Sequence, residues 1–258
     1  MRVAPSACVL GMMLVLSIAL SGCVTAKKYR MAKKDAAPAQ PLDWKVSAAS
    51  ADLNLHSVIV FKGPGSWKRE ARWDEYVVSI ANRGADPLVI DAAVLIDLLG
   101  VPCECGVDPW QLEKLSYTNW DKYGKTGLKL AAGAGAVVLY AGAVVATSLG
   151  GIMAPTAAAG GGVALLNIIP VVAVVDITAV AIMNSQNKKK VVAEFNRRRL
   201  PLPLKLAPGE TAAGSVFFPM TPGPQKLYLR GRRGEEPVEL ALELKPLAGL
   251  HLKPAREK

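Results

Sequence analysis

The stretch EYVVSIANRGADPLVIDAAVLIDLLG, residues 75–100, decides how this chain folds. Two apolar runs, residues 75–81 and 88–98, flank the polar segment NRGADP. Apolar runs of this length that are bounded by asparagine, glycine and proline are typical of two strands joined by a turn. Both alternating faces of the first run carry apolar residues, so we expect that strand to be covered on both sides.

The same pattern occurs on either side of this stretch. Apolar and polar residues alternate from Leu53 to Phe61, and four short apolar segments follow residue 200, separated by the turn sequences APGE, TPGPQ and GRRGEE. Glycine and proline recur too often there for a helix. We predict strands over residues 53–61, 75–81, 88–98, 202–206, 211–218, 226–230 and 238–244. Seven short strands with regular turns predict a mainly β fold, an immunoglobulin-like β-sandwich.

Three segments carry a resemblance to a known family. VSIANRGADPLVIDAAVLIDLLG, LAPGETAAGSVFFP and KLYLRG are together similar to telokin-like immunoglobulin-fold modules of bacterial exported proteins. The similarity covers about 100 residues and lies in turn chemistry and strand pattern. It implies a sandwich with an interaction or scaffold role and brings no catalytic residues. The chain departs from that family because about 90 residues separate the two halves.

The separating residues are strongly apolar. Residues 130–153 contain no charged residue, and residues 163–184 contain one, Asp176. Each segment is long enough to cross a hydrocarbon core of about 30 Å as a helix. The short sequence APTAAAGGG joins them, so we predict a glycine-rich helical hairpin that returns the chain to the same side. A buried helical pair in a protein assembly and long buried strands are the alternatives.

Polar and basic residues mark candidate sites in this insertion. Asn167 and Asp176 are costly inside a membrane, so they form a possible intramembrane polar site or pack against a neighbouring helix. Basic residues follow the second apolar segment, and we interpret them as possible contacts to anionic lipid headgroups. They are Lys188, Lys189, Lys190, Arg197, Arg198 and Arg199.

The N-terminus reads as an export signal. Arg2 precedes an uncharged apolar run from Val9 to Leu20, whose length fits the core of a signal peptide. The following LSGC, residues 20–23, resembles the lipobox of bacterial lipoproteins. This resemblance implies a signal peptide over residues 1–22 and acylation of Cys23, such as by palmitate. An ordinary secretory signal with a chance cysteine is the alternative.

The lipoprotein resemblance also implies a location. Val24 and Thr25 replace the aspartate that tends to retain such proteins in the inner membrane. We therefore expect a lipid anchor in the outer membrane that faces the periplasm, with the inner membrane as the alternative. The predicted organisation is a tether (residues 23–43), a first sandwich half (44–121), the inserted hairpin with its flanks (122–199), a second half (200–250) and a tail (251–258).

Charge and cysteine content limit the partners. The formal net charge is +10. For an exported lipoprotein we expect anionic lipids rather than nucleic acid as the counter-charge, with a solvated basic surface that has no such partner as the alternative. Besides Cys8 and Cys23, only Cys103 and Cys105 remain. We interpret this pair as a strained local disulfide or as two free thiols. Two cysteines without nearby histidines do not predict a metal site, and no cofactor motif is present.

These patterns predict a non-catalytic envelope lipoprotein, because neither a nucleophile motif nor a histidine cluster occurs in the sequence. The leading hypothesis is a scaffold or accessory subunit that binds protein partners or forms a homo-oligomer. The alternatives are an oligomeric pore or export component lined by the hairpin, and a module that binds an anionic glycolipid.

Overall fold

A computed structural model describes Met31 and residues 41–61, 63, 65–68, 71–133 and 171–253, with the backbone alone for residues 171–184. Nine strands and two α-helices occur in these residues. The strands are β1 (Trp44–Ala48), β2 (Ala51–Ile59), β3 (Trp73–Asn82), β4 (Leu88–Ile96), β5 (Pro102–Glu104), β6 (Leu204–Leu206), β7 (Thr211–Pro219), β8 (Lys226–Arg233) and β9 (Glu236–Glu243). The helices are α1 (Pro109–Lys125) and α2 (Val171–Arg198), and a short 3-10 helix spans Lys245–Leu247.

The strands form two antiparallel sheets. The first sheet has the order β1-β2-β3-β7, and the second has the order β5-β4-β8-β9, with β6 also paired to β4. β5 pairs with the Ile96 end of β4, whereas β6 pairs with its Leu88 end. The chain is therefore mainly β and sandwich-like, as the sequence predicted.

The sandwich core lies between the two sheets. Alternate residues of β2 and β3 point into it, because successive side chains of a strand face opposite sides. Leu53, Leu55 and Ile80 are fully buried there, and Tyr76 meets Phe218 edge to face at 5.4 Å. All seven predicted strands are present, with ends that differ from the predicted ones by a few residues.

A second apolar cluster covers the outer face of the first sheet. Phe195 of α2 stacks on Phe217 of β7 at 4.1 Å and meets Trp73 of β3 edge to face at 6.2 Å. Leu112 of α1 and Val191 of α2 complete its buried centre, together with Trp67 and Ala71. The two helices are thus docked on β3 and β7.

Helix α1 was not predicted, because its buried face is partly polar. Asp108 caps its N-terminus by accepting a hydrogen bond from the backbone N–H of Trp110, and Pro109 occupies the first turn. Its buried side includes Glu113 and Ser116, so the apolar period of an amphipathic helix is hidden in the sequence. The Ser116 hydroxyl instead ties the helix to the backbone N–H of Met220, at 2.9 Å.

The predicted insertion is described only at its two ends. Residues 134–170 lie outside the described part of the chain, and so does Asn167. Asp176 lies on α2, which confirms a helix over part of the second apolar segment. Within the described ranges, no helix combines the length and the apolar composition needed to cross a membrane. The signal segment, Cys23 and most of the tether also lie outside the described residues.

Candidate functional site

Two consecutive carboxylates on β3 mark the places where the insertion joins the sandwich. Asp74 and Glu75 are both fully buried. Asp74 pairs in register with Phe218 of the sandwich core, and Glu75 pairs with Phe217 of the outer cluster. Because the strand pleat sends neighbouring side chains to opposite faces, each sheet face receives one buried charge.

Asp74 holds the imidazole of His251. The Nε2 atom of His251 lies 2.8 Å from Oδ2 of Asp74, and both side chains are inaccessible to solvent. The backbone N–H of Gly133 donates to Nδ1 of the same ring at 3.0 Å. An imidazole nitrogen that accepts a hydrogen bond carries no proton, so the ring proton sits on Nε2 and is donated to Asp74.

His251 thereby fixes the N-terminal end of the insertion. The backbone N–H of Ala131 donates to the carbonyl of His251 at 2.9 Å, and that of Lys253 donates to the carbonyl of Lys129 at 2.8 Å. Gly133 has a φ of +75°, and a Cβ there would lie 2.6 Å from the carbonyl oxygen of Phe61. Only glycine fits this position, where the chain leaves the sandwich.

Glu75 holds the C-terminal end of the insertion. Its carboxylate accepts hydrogen bonds from the indole of Trp67 at 2.5 Å and from the hydroxyl of Ser215 at 2.7 Å. The guanidinium of Arg198, in the last turn of α2, lies 3.3 Å from Oε1 of Glu75. A buried carboxylate is tolerated only when such partners replace its lost hydration.

Arg198 is itself held in place by its neighbours. Its guanidinium lies over the ring of Trp67, 5.3 Å from the centroid, and donates to Glu194 at 2.7 Å. Glu194 also accepts two hydrogen bonds from Arg197. These bonds, first from Arg197 and then from Arg198, lower the pKa of Glu194 to about 2. The last turn of α2 is therefore a fixed ion-pair network.

Lys68, which precedes these two carboxylates in the chain, is a buried cation. Its ammonium donates to the carbonyl of Trp73 at 2.6 Å and lies 4.7 Å from the centroid of that indole ring. Burial lowers the pKa of Lys68 to about 8, while the charges of Glu75 and Asp74 oppose this shift. The ammonium offsets part of the negative charge that β3 carries into the fold.

The six basic residues that the sequence grouped as lipid contacts are divided by the structure. Lys189 and Lys190 are exposed, and Lys188 lies over the ring of Trp110 at 5.4 Å. Arg197 and Arg198 pair with Glu194, and Arg198 also reaches Glu75. Arg199 is half-buried and lines a small cleft with Cys105 and Phe217. The arginines thus serve contacts within the chain.

Cys103 and Cys105 are separate free thiols, both half-buried, so the disulfide alternative is not formed. The backbone N–H of Cys105 donates to the carbonyl of Ala93 at 3.0 Å, which keeps this segment extended beside β4. Extended residues two apart are separated by about 6.6 Å, at the upper limit for a disulfide. Burial raises the pKa of Cys103 to about 11, so its thiol is protonated at neutral pH.

A third carboxylate, on the residue that follows β4, also ties a strand to a helix. Asp97, which accepts from the hydroxyl of Tyr123, ties β4 to α1 in the same way that Glu75 ties β3 to α2. Nothing among the described residues gathers three or more metal-ligating side chains. Asp74, Glu75 and His251 were not predicted as site residues from the sequence. The Asp-Glu pair at the start of an apolar strand is the sequence feature that could have indicated the two carboxylates.

No protein-family model, curated protein or solved structure matches the chain.

Replacing His251 by alanine should destabilise the fold by about 3–5 kcal/mol, because Asp74 would stay buried without its partner. Amide hydrogen exchange at residues 130–133 should rise with this loss, since Gly133 loses its acceptor. Tyr76→Phe is the matched control: the Tyr76 hydroxyl is buried and has no hydrogen-bond partner among the described residues, so its removal should change stability by less than about 1 kcal/mol. Equal losses in the two variants would contradict the role of His251.

Arg198→Met should lower the free energy of unfolding by roughly 2 kcal/mol, because it removes a partner of the buried Glu75. Arg197→Met alters the neighbouring arginine, which is exposed and pairs only with Glu194 among the described residues. That control should lose clearly less stability, because a surface ion pair contributes little in water. Urea unfolding of both variants measures the difference, and similar losses would refute the special role of Arg198.

The free energy of unfolding should rise between pH 8 and about 10, an unusual direction. Below pH 8 both states keep the Lys68 proton; above it the folded state loses the proton, whereas the unfolded lysine keeps it to about pH 10.4. The rise should reach at most about 3 kcal/mol relative to Lys68→Met. Lys205→Met, at an exposed lysine on β6, should follow the wild-type pH profile. Parallel curves for Lys68→Met and wild type would exclude the effect.

Proposed function

We propose that the chain is a cell-envelope lipoprotein, acylated at Cys23, whose sandwich is a non-catalytic mount for a membrane-interacting helical hairpin. In this role it serves as a scaffold or accessory subunit for other envelope proteins or for further copies of itself. The proposed location is the outer membrane, with the sandwich in the periplasm.

We propose that the domain that carries the insertion is an immunoglobulin-like sandwich, and the strand pairing supports this proposal. β3 lies between β2 and β7, and β4 and β9 flank β8. These neighbours reproduce the A-B-E and C-F-G groupings of immunoglobulin sheets when β2 is taken as strand A. β6 pairs with β4 instead of joining the first sheet, so strand D would have switched sheets. The insertion then falls between strands C and D.

One observation carries the functional proposal: adjacent buried carboxylates of a single strand hold the two ends of the insertion. Asp74 binds the N-terminal end through His251 and Gly133, and Glu75 binds the C-terminal end through Arg198. A freely hinged insertion would need neither contact. Rigid attachment at both ends supports a role in which the sandwich and the apolar segment act as one unit.

The candidate catalytic side chains in the described part of the chain are consistent with a binding role, although the proposal does not rest on them. His56, the second histidine, lies partly exposed on β2 and contacts Ser79 and Asp43. Cys103 is a protonated thiol at neutral pH and therefore a poor nucleophile. Neither side chain is placed as a catalytic base or nucleophile, so we propose binding to other molecules, rather than catalysis, as the function.

Metabolic labelling with a radioactive or clickable fatty acid tests the anchor. Cys23→Ala should abolish incorporation and release the protein from the membrane fraction, because one sulfur carries the proposed acyl group. Cys8→Ala changes a cysteine of the proposed signal peptide and should retain full labelling. Labelling that persists in Cys23→Ala would refute the lipoprotein proposal.

Replacing residues 134–184 by a flexible glycine-serine linker tests the scaffold. This change leaves the described contacts of Gly133 and Arg198 in place, so the sandwich should still unfold cooperatively. Cross-linked partners or self-association recovered with the wild type should be lost from the variant. The reverse result, an unchanged set of partners with a folded sandwich, would refute a scaffold role for the insertion.

A further inference from the structure

The large apolar side chains left exposed by the described residues are confined to one part of the chain. They fall between residues 99 and 117, a stretch that runs from the β4–β5 loop into α1. Exposed apolar side chains concentrated in one stretch of a chain point to an interaction surface. The side chains are Leu99, Val101, Val107, Leu115 and Tyr117, and Val107 is the most open at 60% exposure.

These side chains are distributed along the length of α1. Val107 precedes the capping residue of the helix, and Leu115 and Tyr117 are exposed at opposite margins of its solvent side, about 160° apart around the axis. Asp97 brings the other two to the far end: it accepts the backbone N–H groups of Leu99 and Val101 and also the hydroxyl of Tyr123 in α1. We call this surface the α1 ridge; a 17-residue helix makes it about 25 Å long.

Basic groups are interleaved with the apolar ones. Lys114, Lys122 and Lys125 are exposed on α1. Arg72 lies over the ring of Tyr117 at 4.7 Å, and Lys188 of α2 lies over the ring of Trp110 at 5.4 Å.

Carboxylates are fewer on this surface. Glu104 is exposed at the end of β5, Asp121 is exposed on α1, and Asp108 is exposed at the helix cap, where it also accepts from the Trp110 N–H. The ridge therefore carries a net positive charge, and its aromatic rings lie beside cations. Aromatic and basic residues occur together in this way at membrane–water interfaces.

We propose that the α1 ridge rests on anionic lipid headgroups of the membrane that receives the insertion. This inference depends on the proposed function, because it assumes that the insertion enters a membrane. Lys188 provides the link: α2 changes there from the uncharged sequence ITAVAIM, residues 177–183, through NSQN, residues 184–187, to three lysines. The first side-chain contact described between α2 and α1 is that of Lys188 with Trp110. The apolar helix thus becomes basic where it meets the ridge.

A lipid surface fits these features better than a protein partner. A protein-binding face would hold its apolar residues as a compact centre within a polar rim. Here the apolar side chains are spread along α1 with lysines between them, which suits a surface that offers both acyl chains and phosphates.

Tryptophan quenching in proteoliposomes tests the contact. The full acylated protein is reconstituted in phosphatidylethanolamine–phosphatidylglycerol vesicles that contain phospholipid brominated near the headgroup. Trp110 and Trp120 are half-buried on α1, and the Trp110→Phe and Trp120→Phe variants assign their share of the quenching. The triple variant Lys114→Glu, Leu115→Glu, Lys122→Glu should reduce the ridge-bound population by more than about ten-fold, since each lysine contributes roughly five-fold.

A matched control reverses an exposed lysine elsewhere. Lys205 lies on β6, at the opposite end of β4 from α1. The Lys205→Glu variant should therefore show the same tryptophan quenching as the wild type. Protease protection of residues 134–170 in the same vesicles reports separately whether the insertion enters the membrane.

The outcomes separate the two proposals. Loss of quenching in the triple variant, with the insertion still protected, supports the ridge contact. The ridge contact is overturned if Trp110 and Trp120 are not quenched in the wild type, or if their quenching is unchanged in the triple variant. Protease protection of the insertion in the same experiment would still support the proposed function. Loss of a co-purified protein from the triple variant without a change in quenching assigns the ridge to a protein instead and also overturns the inference. An unprotected insertion overturns the proposed function itself and, with it, the basis of the ridge contact.

Discussion

The fold depends on the burial of two neighbouring carboxylates in β3. Removing a carboxylate from water costs several kcal/mol unless hydrogen bonds and opposite charge replace its hydration. Asp74 obtains its replacement from His251, 177 residues away, and Glu75 obtains part of its own from Arg198, 123 residues away. The sandwich therefore reaches its stable state only when the C-terminal segment and the last turn of α2 have both docked. Two local charges make distant parts of the chain fold together.

This coupling has a consequence for the apolar insertion. More than 50 largely uncharged residues would be an aggregation hazard if the sandwich could fold while their ends stayed loose. Gly133 and Arg198 instead hold the two ends on either face of the same strand. Lys68, buried and near the same charges, limits the electrostatic cost of this arrangement. The polar groups of β3 thus select one attachment geometry, whereas apolar packing alone would allow several.

The sequence reveals what is local and hides what is distant. Strands such as β2 and β7 could be predicted because the two-residue period and the Gly-Pro turns are written in adjacent residues. α1 could not, because Glu113 and Ser116 occupy its buried face. The run Arg197 to Arg199 was interpreted as a lipid contact, since three arginines in a row look alike in sequence. Only the fold shows that Arg198 points to Glu75, because a salt bridge between residues so far apart leaves no local pattern.

The attachment of the insertion at two points would also give the proposed lipoprotein a fixed orientation, which an acyl anchor alone does not provide. The predicted tether, residues 23–43, is described at residues 41–43 and at Met31, which forms a β-bridge with Lys68 and packs against the outer cluster. The proposed acyl chain on Cys23 would bring the sandwich to a membrane without fixing the face that meets it. In the proposed function, the two attached ends of the insertion would fix that face, because a rotation of the sandwich relative to the insertion would break the His251–Asp74 or the Arg198–Glu75 contact. The acyl chain would then determine which membrane the protein binds, and the contacts of β3 would determine which face of the sandwich lies against that membrane.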